Sequence, residues 1–405
     1  MKNKTSDYYI NLEEKHGAHN YHPLPVVLEK GEGVYVWDVE GKKYFDFLSA
    51  YSAVNQGHSH PKIVNALIEQ TKKLSLTSRA FYNSSLGEYE EFITTYFGFD
   101  KVLPMNTGAE AVETALKLCR KWAYEVKNVP SNQAKIIVCE NNFHGRTISI
   151  ISASTDADST SNFGPYTPGI LKIPYNNSEA LESLLKSDKT IAGFLVEPIQ
   201  GEAGVIVPDK GYLKTCYAIC KKYNVLFIAD EIQSGLGRTG KRLACDHEQV
   251  KPDILILGKA LSGGTYPVSA VLTSNEIMLT IKPGQHGSTY GGNPVACKVA
   301  IAAIKVLEEE EMYKNSEELG KILTAELENI KEKSSFVKAV RAKGLWAAIE
   351  IDSTKGKSAW DVCIDLKNNG LLAKPTHETI IRLAPPLCIT KDELLECIAI
   401  IKKCC

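Results

Sequence analysis

Two residues stand where short apolar runs end. Asp230 closes Leu226-Phe-Ile-Ala-Asp230, and Lys259 follows Ile254-Leu-Ile-Leu-Gly258. Both runs are too short for helices and apolar on both faces, as a buried parallel strand must be. Functional groups in an open parallel sheet collect at the carboxyl ends of strands, so both side chains should face one crevice. A lone lysine at a strand end is ordinarily a solvated surface residue. Lys259, however, lies in Leu257-Gly-Lys-Ala-Leu-Ser-Gly-Gly264, where small residues leave room for a ligand and the strand behind desolvates the amine. Desolvation disfavours the ammonium and frees the amine for Schiff-base chemistry. Asp230 is the complement, because an acid buried at a strand end is costly without a positive partner.

A protonated pyridine nitrogen is such a partner, and a Schiff-base lysine with a carboxylate for a ring nitrogen is the pairing that pyridoxal phosphate chemistry needs. The phosphate would then need a place. Thr107, Gly108 and Ala109, in Met105-Asn-Thr-Gly-Ala-Glu-Ala-Val112, open a helix where free amides and the dipole favour an anion. Taken alone, the same residues read more simply as a threonine N-cap with a packing glycine. In Asn142-Phe-His-Gly-Arg-Thr147, Phe143 could stack on a planar ring and Arg146 could clamp a carboxylate, although a loop arginine is more often only solvated. Ser288 and Thr289, in His286-Gly-Ser-Thr-Tyr-Gly-Gly-Asn-Pro294, suit a second phosphate contact or a plain linker. Glu197 reads equally as a support for the site and as a loop cap.

These residues need a scaffold. The runs at 136–139, 194–196, 226–229 and 254–257, with Tyr212, Cys216, Ile219, Cys220 and Tyr223 at helical spacing between two of them, make a βαβ rhythm. The rhythm predicts an α/β fold with a mainly parallel sheet flanked by helices. Residues 1–50 read as an N-terminal arm and a small antiparallel element that joins a small lobe. Residues 51–293 read as the large domain, and 294–405 as a small α+β domain with helices near 315–333 and 358–369, strands at 345–351 and 379–383, and a last helix from Asp392.

Composition narrows the class. The chain has 405 residues, 44% hydrophobic and 23% charged, with a net charge of −1. That is a globular balance without the positive excess that nucleic acid or anionic membranes require. Eleven cysteines without regular spacing predict neither a disulfide framework nor a metal site. Met1–Asp7 has no apolar core and an early acid, unlike a secretory or transit peptide, and no apolar run approaches a membrane span. The expectation is a cytoplasmic enzyme.

Asp230-Glu-Ile-Gln233, Ser234-Gly-Leu-Gly-Arg-Thr-Gly240, Lys259 in its glycine-rich setting and Gly287-Ser-Thr-Tyr-Gly-Gly-Asn-Pro294 occur in one order. In this the chain resembles the class III, ornithine-type pyridoxal phosphate aminotransferases of fold type I, from about Tyr21 to the C-terminus. His19-Asn-Tyr-His-Pro-Leu-Pro25, the stretch from Phe47 to His58 and Ile381-Arg-Leu-Ala-Pro-Pro386 point to the ornithine type rather than to acetylornithine or 4-aminobutyrate relatives. The resemblance implies that Lys259 links to the cofactor and then moves the substrate proton, that Asp230 holds the ring nitrogen, Gln233 the ring hydroxyl and Phe143 the ring face. It implies that Gly108 and Ala109 bind the phosphate, with Ser288 and Thr289 reaching in from the second subunit of a homodimer. It also implies that Arg146 clamps the distal carboxylate, that Tyr21 and Tyr51 contact ornithine, and that Arg382 binds glutamate's α-carboxylate but is masked by Glu202 when ornithine is bound. The implied reaction moves ornithine's δ-amino group to 2-oxoglutarate. A scaffold that has lost its chemistry is disfavoured by the intact Lys259 and Asp230. The chain departs from the family at His144, where an aromatic is expected; stacking through Phe143 should survive, and the effect is expected on packing at the pocket mouth or on pH behaviour near neutrality.

Overall fold

The computed structural model describes residues 5–405; Met1–Lys4, the start of the expected arm and of the stretch read for targeting signals, lie outside the described residues. Its largest sheet has seven strands in the spatial order Lys101–Met105, Ser269–Thr273, Ile254–Leu257, Leu226–Asp230, Ile191–Val196, Lys135–Cys139 and Ile170–Ile173. Ser269–Thr273 runs against both its neighbours, so the other six share a direction. The four continuously apolar runs of the sequence are the central, fully covered strands. Two of the strands not anticipated lie at the sheet edges, where Lys101 and Lys172 face water and break the apolar run.

Helices cover both faces. On one side Gly108–Glu125 buries Val112, Ala115, Leu118 and Trp122 against Val138, Leu195, Ile228 and Ile256. On the other, Ser178–Ser187 and Tyr212–Lys222 pack against Phe194 and Phe227. The helix Pro294–Glu309, capped by Asn293, lies against Pro61–Lys73 and Ser84–Phe97.

The chain ends form two smaller sheets. Leu28–Glu32, Tyr35–Asp38 and Lys43–Asp46 make an antiparallel meander, completed by Leu371–Leu372 running parallel to Lys43–Asp46. Val337–Ala342, Ala347–Ile351, Ile380–Leu383 and Lys374–Thr376 form an antiparallel sheet in that order. A helix at Ser6–His16, not anticipated, buries none of its residues and so has no apolar stripe to betray it. No described helix is long and apolar enough to cross a membrane. None of the eleven cysteines is bonded to another, and burial pushes the partly exposed Cys388 and Cys405 up to about 12, which leaves them poor nucleophiles.

Two features bind these parts together. The first is Arg238, fully buried, which donates to the carbonyls of Leu345 (2.8 Å) and Pro385 (2.7 Å) and to Asn55 Oδ1 (2.5 Å). The second is a helical turn at Ser49–Ser52 that is left-handed, with φ of 49°, 47°, 59° and 68° at four successive non-glycine residues. Left-handed backbone costs roughly 1–2 kcal/mol per such residue, so outside contacts must hold it. Asp46 Oδ1 accepts from the amides of Leu48 and Ser49, both at 2.8 Å, and Ser49 Oγ donates to the carbonyl of Ala384 at 2.6 Å. Removing the guanidinium in Arg238→Met strands three buried acceptors, a loss of roughly 3 kcal/mol or more at 1–3 kcal/mol each. A thermal melt should show a fall of several degrees; an unchanged midpoint would mean that the three segments hold without it.

Candidate active site

The carboxyl ends of Leu226–Asp230 and Ile254–Leu257, neighbours in the sheet, deliver Asp230 and Lys259 to one cavity of about 210 Å³. Gly108, Ala109, Phe143, Gln233 and Glu197 also line it. Lys259 itself has φ of 44°, a backbone strain of the kind that collects at reactive positions. Its amine has no hydrogen-bond or ion-pair partner among the described residues. Burial lowers its pKa against the opposing pull of Glu202 and Asp230.

The phosphate end is shaped by a capping box. Thr107 Oγ1 accepts from the Glu110 amide, and the Glu110 carboxylate accepts from the amides of Asn106 and Thr107, both at 2.9 Å. The threonine is thus a cap, and the amides of Gly108 and Ala109 still open the helix beside the cavity. A Cβ at Gly108 would lie 3.1 Å from Ile232 Cδ1, so the close approach of helix and loop needs the glycine. Ile232, which sequence reasoning passed over, lines the cavity between Asp230 and Gln233.

His144 is buried where the two cavities meet, with Nδ1 2.7 Å from Asp230 Oδ2. Burial opposes the imidazolium, but the hydrogen bond to Asp230 and its charge outweigh burial and raise the pKa. Both partners of this pair are almost fully enclosed, with side-chain exposures of 1% and 4%. A phenylalanine at this position could not supply this contact. Glu197 lies behind Phe143, accepting from its amide at 3.0 Å and from the Gly201 amide at 3.3 Å, so it supports the site and caps the loop at once.

A second cavity of about 780 Å³ adjoins the first and shares Phe143, His144 and Gly145 with it. Tyr21, Tyr51, Arg146, Glu202 and Arg382 all line it. Arg382 Nη1 lies 2.5 Å from Glu202 Oε1, and its guanidinium is 5.0 Å from the centre of the Tyr51 ring. Burial would raise the Glu202 pKa, yet the charges of Arg382 and Lys259 bring it below the ordinary value. Arg146 has no ion-pair partner among the described residues and sits 5.8 Å from the Phe143 ring. Tyr21 is 70% exposed, at the open side. Lys374 and His377 line this cavity without having been singled out.

The residues present fit pyridoxal phosphate. The first cavity carries a free amine, a carboxylate bonded to a buried imidazole, an aromatic ring and a helix N-terminus. Ser288 and Thr289 are not brought into it; Ser288 Oγ instead accepts from Asn106 Nδ2 at 2.9 Å, and Thr289 is exposed.

Burial pushes the Glu197 carboxyl up to about 7, with His144 pulling it down and Asp230 adding to the rise. A carboxyl raised in the folded state favours folding most while protonated, below the unfolded value near 4.5, and that contribution disappears as pH rises through about 7. Melts of wild type and Glu197→Gln from pH 5 to 8 should show the variant gaining on the wild type as pH increases. A difference independent of pH would mean that Glu197 is ionised throughout.

Residues 16–405 match the model of the family described as aminotransferase class-III. The chain is 61% identical over 399 residues, covering 98% of itself and 90% of the relative, to the protein of Rattus norvegicus named mitochondrial ornithine aminotransferase. The solved ornithine aminotransferase of Toxoplasma gondii ME49 superposes with a TM-score of 0.97 at 48% identity, covering 100% of this chain and 95% of that one. A structure described as acetylornithine aminotransferase from Elizabethkingia anophelis gives a TM-score of 0.90 at 62% identity, covering 99% of each chain. The fold, the paired Asp230 and Lys259 and these likenesses agree, and the chain belongs to the class III aminotransferases, enzymes that work with pyridoxal 5′-phosphate.

Proposed function

We propose that this aminotransferase takes the δ-amino group of L-ornithine and passes it to 2-oxoglutarate, giving L-glutamate 5-semialdehyde and L-glutamate in two half-reactions. The observation that carries the reading is the Glu202–Arg382 pair, closed at 2.5 Å in a cavity that also holds an unpaired Arg146. Ornithine must present a terminal amine with no carboxylate beside it, whereas glutamate presents an amine flanked by one. Arg382 bound to Glu202 offers ornithine no net charge; released, it takes glutamate's α-carboxylate bidentately. Arg146 clamps the distal carboxylate of either substrate. Tyr21 supplies a hydroxyl to ornithine's spectator α-amine, and Tyr51 packs the substrate against the Arg382 side.

Pyridoxal phosphate, when bound, supplies the electron sink for the carbon that loses its proton. Lys259 holds the cofactor, and its amine, whose pKa burial lowers, moves that proton as general base and acid. Asp230, in hydrogen-bond contact with His144, faces the ring nitrogen, Gln233 the ring hydroxyl and Phe143 the ring face. The amides of Gly108 and Ala109 and the dipole of Gly108–Glu125 receive the phosphate.

The working unit in this reading is a homodimer. Phe81, Tyr82 and Tyr290 are 69%, 105% and 52% exposed, and the segments carrying them meet where Gly292 approaches Leu86 and Arg79. Exposed aromatics on adjoining segments mark a surface that a partner covers, and Ser288 and Thr289 beside it would complete the partner's phosphate site. Eleven unbonded cysteines suit a reducing compartment, and we place the enzyme in the cytoplasm; the rat relative's name says mitochondrial, and cell fractionation decides between them.

The name of the Elizabethkingia anophelis relative favours a second reading, acetylornithine as donor. Mixing the purified enzyme with ornithine, acetylornithine or 4-aminobutyrate separately and following loss of the cofactor's visible band tests the donor directly. Ornithine should react fastest, and Tyr21→Phe should slow ornithine much more than acetylornithine; equal loss on both would sink the assignment. Glu202→Gln, which unmasks Arg382, should shift the ratio of ornithine to glutamate reactivity toward glutamate by about tenfold or more, the effect of one buried charge pair. An unchanged ratio would remove Glu202 from substrate choice.

A further inference from the structure

The hairpin that carries Arg382 places a second cation beside it. Lys374 and Arg382 are direct partners in the antiparallel pairing of Lys374–Thr376 with Ile380–Leu383. Directly opposed residues project from the same face of a sheet with their Cβ atoms roughly 5 Å apart, and like charges there repel. Both line the larger cavity. Arg382 has Glu202 as counter-ion. Among the described residues no carboxylate lies within ion-pairing distance of Lys374, although Asp156, Asp158 and Glu378 line the same cavity. The Tyr21 ring lies near it, 5.8 Å from Nζ to the centroid.

A hairpin that opposes two cations, one of them without a partner, lacks an anion when the cavity is empty of substrate. We propose that Lys374 is a specificity-determining residue that, together with Arg382, forms a two-cation subsite for the α-carboxylate of the dicarboxylic partner, glutamate or 2-oxoglutarate. The inference rests on the reading of glutamate as the second substrate. Burial and the charge of Arg382 lower the Lys374 pKa, as they should where two cations share a partly dry face. A carboxylate arriving between them turns the repulsion into two attractions, and each charge-assisted bond there is stronger than a neutral one. Ornithine brings no carboxylate next to its reacting amine, so it gains nothing from Lys374. Lys374 thereby adds to the contrast that the Glu202–Arg382 pair creates, by strengthening only the glutamate side once Glu202 has withdrawn.

The test uses the holoenzyme as wild type, Lys374→Met and Lys374→Arg, each checked for the cofactor's visible band. Single-turnover half-reactions are run with glutamate and with ornithine, and the unreactive dicarboxylate glutarate is titrated by calorimetry. Lys374→Met should weaken the apparent affinity for glutamate and glutarate by about tenfold or more, with the limiting rate changed less than about twofold. Ornithine should be affected less than about twofold, and Lys374→Arg should recover most of the loss. Equal loss on ornithine and glutamate, no loss on either, or loss of the limiting rate alone would each overturn the inference. A wild type that fails to react with glutamate overturns the reading of the second substrate itself, whereas a wild type that reacts without dependence on Lys374 overturns only this subsite.

Discussion

The assembly turns on one buried guanidinium. Arg238 leaves the loop after Leu226–Asp230 and reaches Asn55, in the N-terminal segment, and Leu345 and Pro385, in loops that flank strands of the C-terminal sheet. The two halves of the substrate cavity come from those same segments: Tyr51 lies four residues before Asn55, and Arg382 three before Pro385. The cofactor side comes from the large sheet. Without a rigid joint among the three, the distance between Lys259 and Arg382 would be set by loops. Burial lowers the Arg238 pKa to about 9, and the acceptors gathered around it are the counterweight to that desolvation.

Charges in the site alternate from the sheet outward. His144 and Asp230 hydrogen-bond in the most buried part, Glu197 stands beside them with its pKa raised to about 7, burial lowers the Lys259 pKa, and Glu202 and Arg382 close the row. For His144, Glu197, Lys259 and Glu202, burial and neighbouring charges both act on the pKa. A substitution at one place is therefore felt along the row, with the coupling expected of groups in contact.

The chemistry of the large sheet was legible because it is local: an acid ending one apolar run, a lysine ending the next, and a threonine-glycine pair opening a helix need only strand periodicity and cap rules. What could not be read is what depends on distant contacts. His144 reads as a loop residue until Leu226–Asp230 is folded under it. Lys374 reads as one lysine in a short loop, because its pairing with Arg382 is a matter of register. The edge strands Lys101–Met105 and Ile170–Ile173 were hidden by charged residues facing water, and Ser6–His16 by the absence of any buried face. The left-handed turn at Ser49–Ser52 has no glycine to announce it.

That turn has a bearing on biosynthesis. Its four residues have no intrinsic reason to wind left-handed, and one of the bonds that fixes them runs to Ala384, 335 positions away along the chain. On the ribosome, the segment bearing Tyr51 emerges early but must wait until nearly the whole polypeptide has followed. The seven-stranded sheet, whose residues lie between 101 and 273, can assemble meanwhile. The pocket that receives substrate is thus finished last, and a chain released short of Ala384 would keep the sheet with Asp230 and Lys259 yet lack the wall that Tyr51 and Arg382 build together.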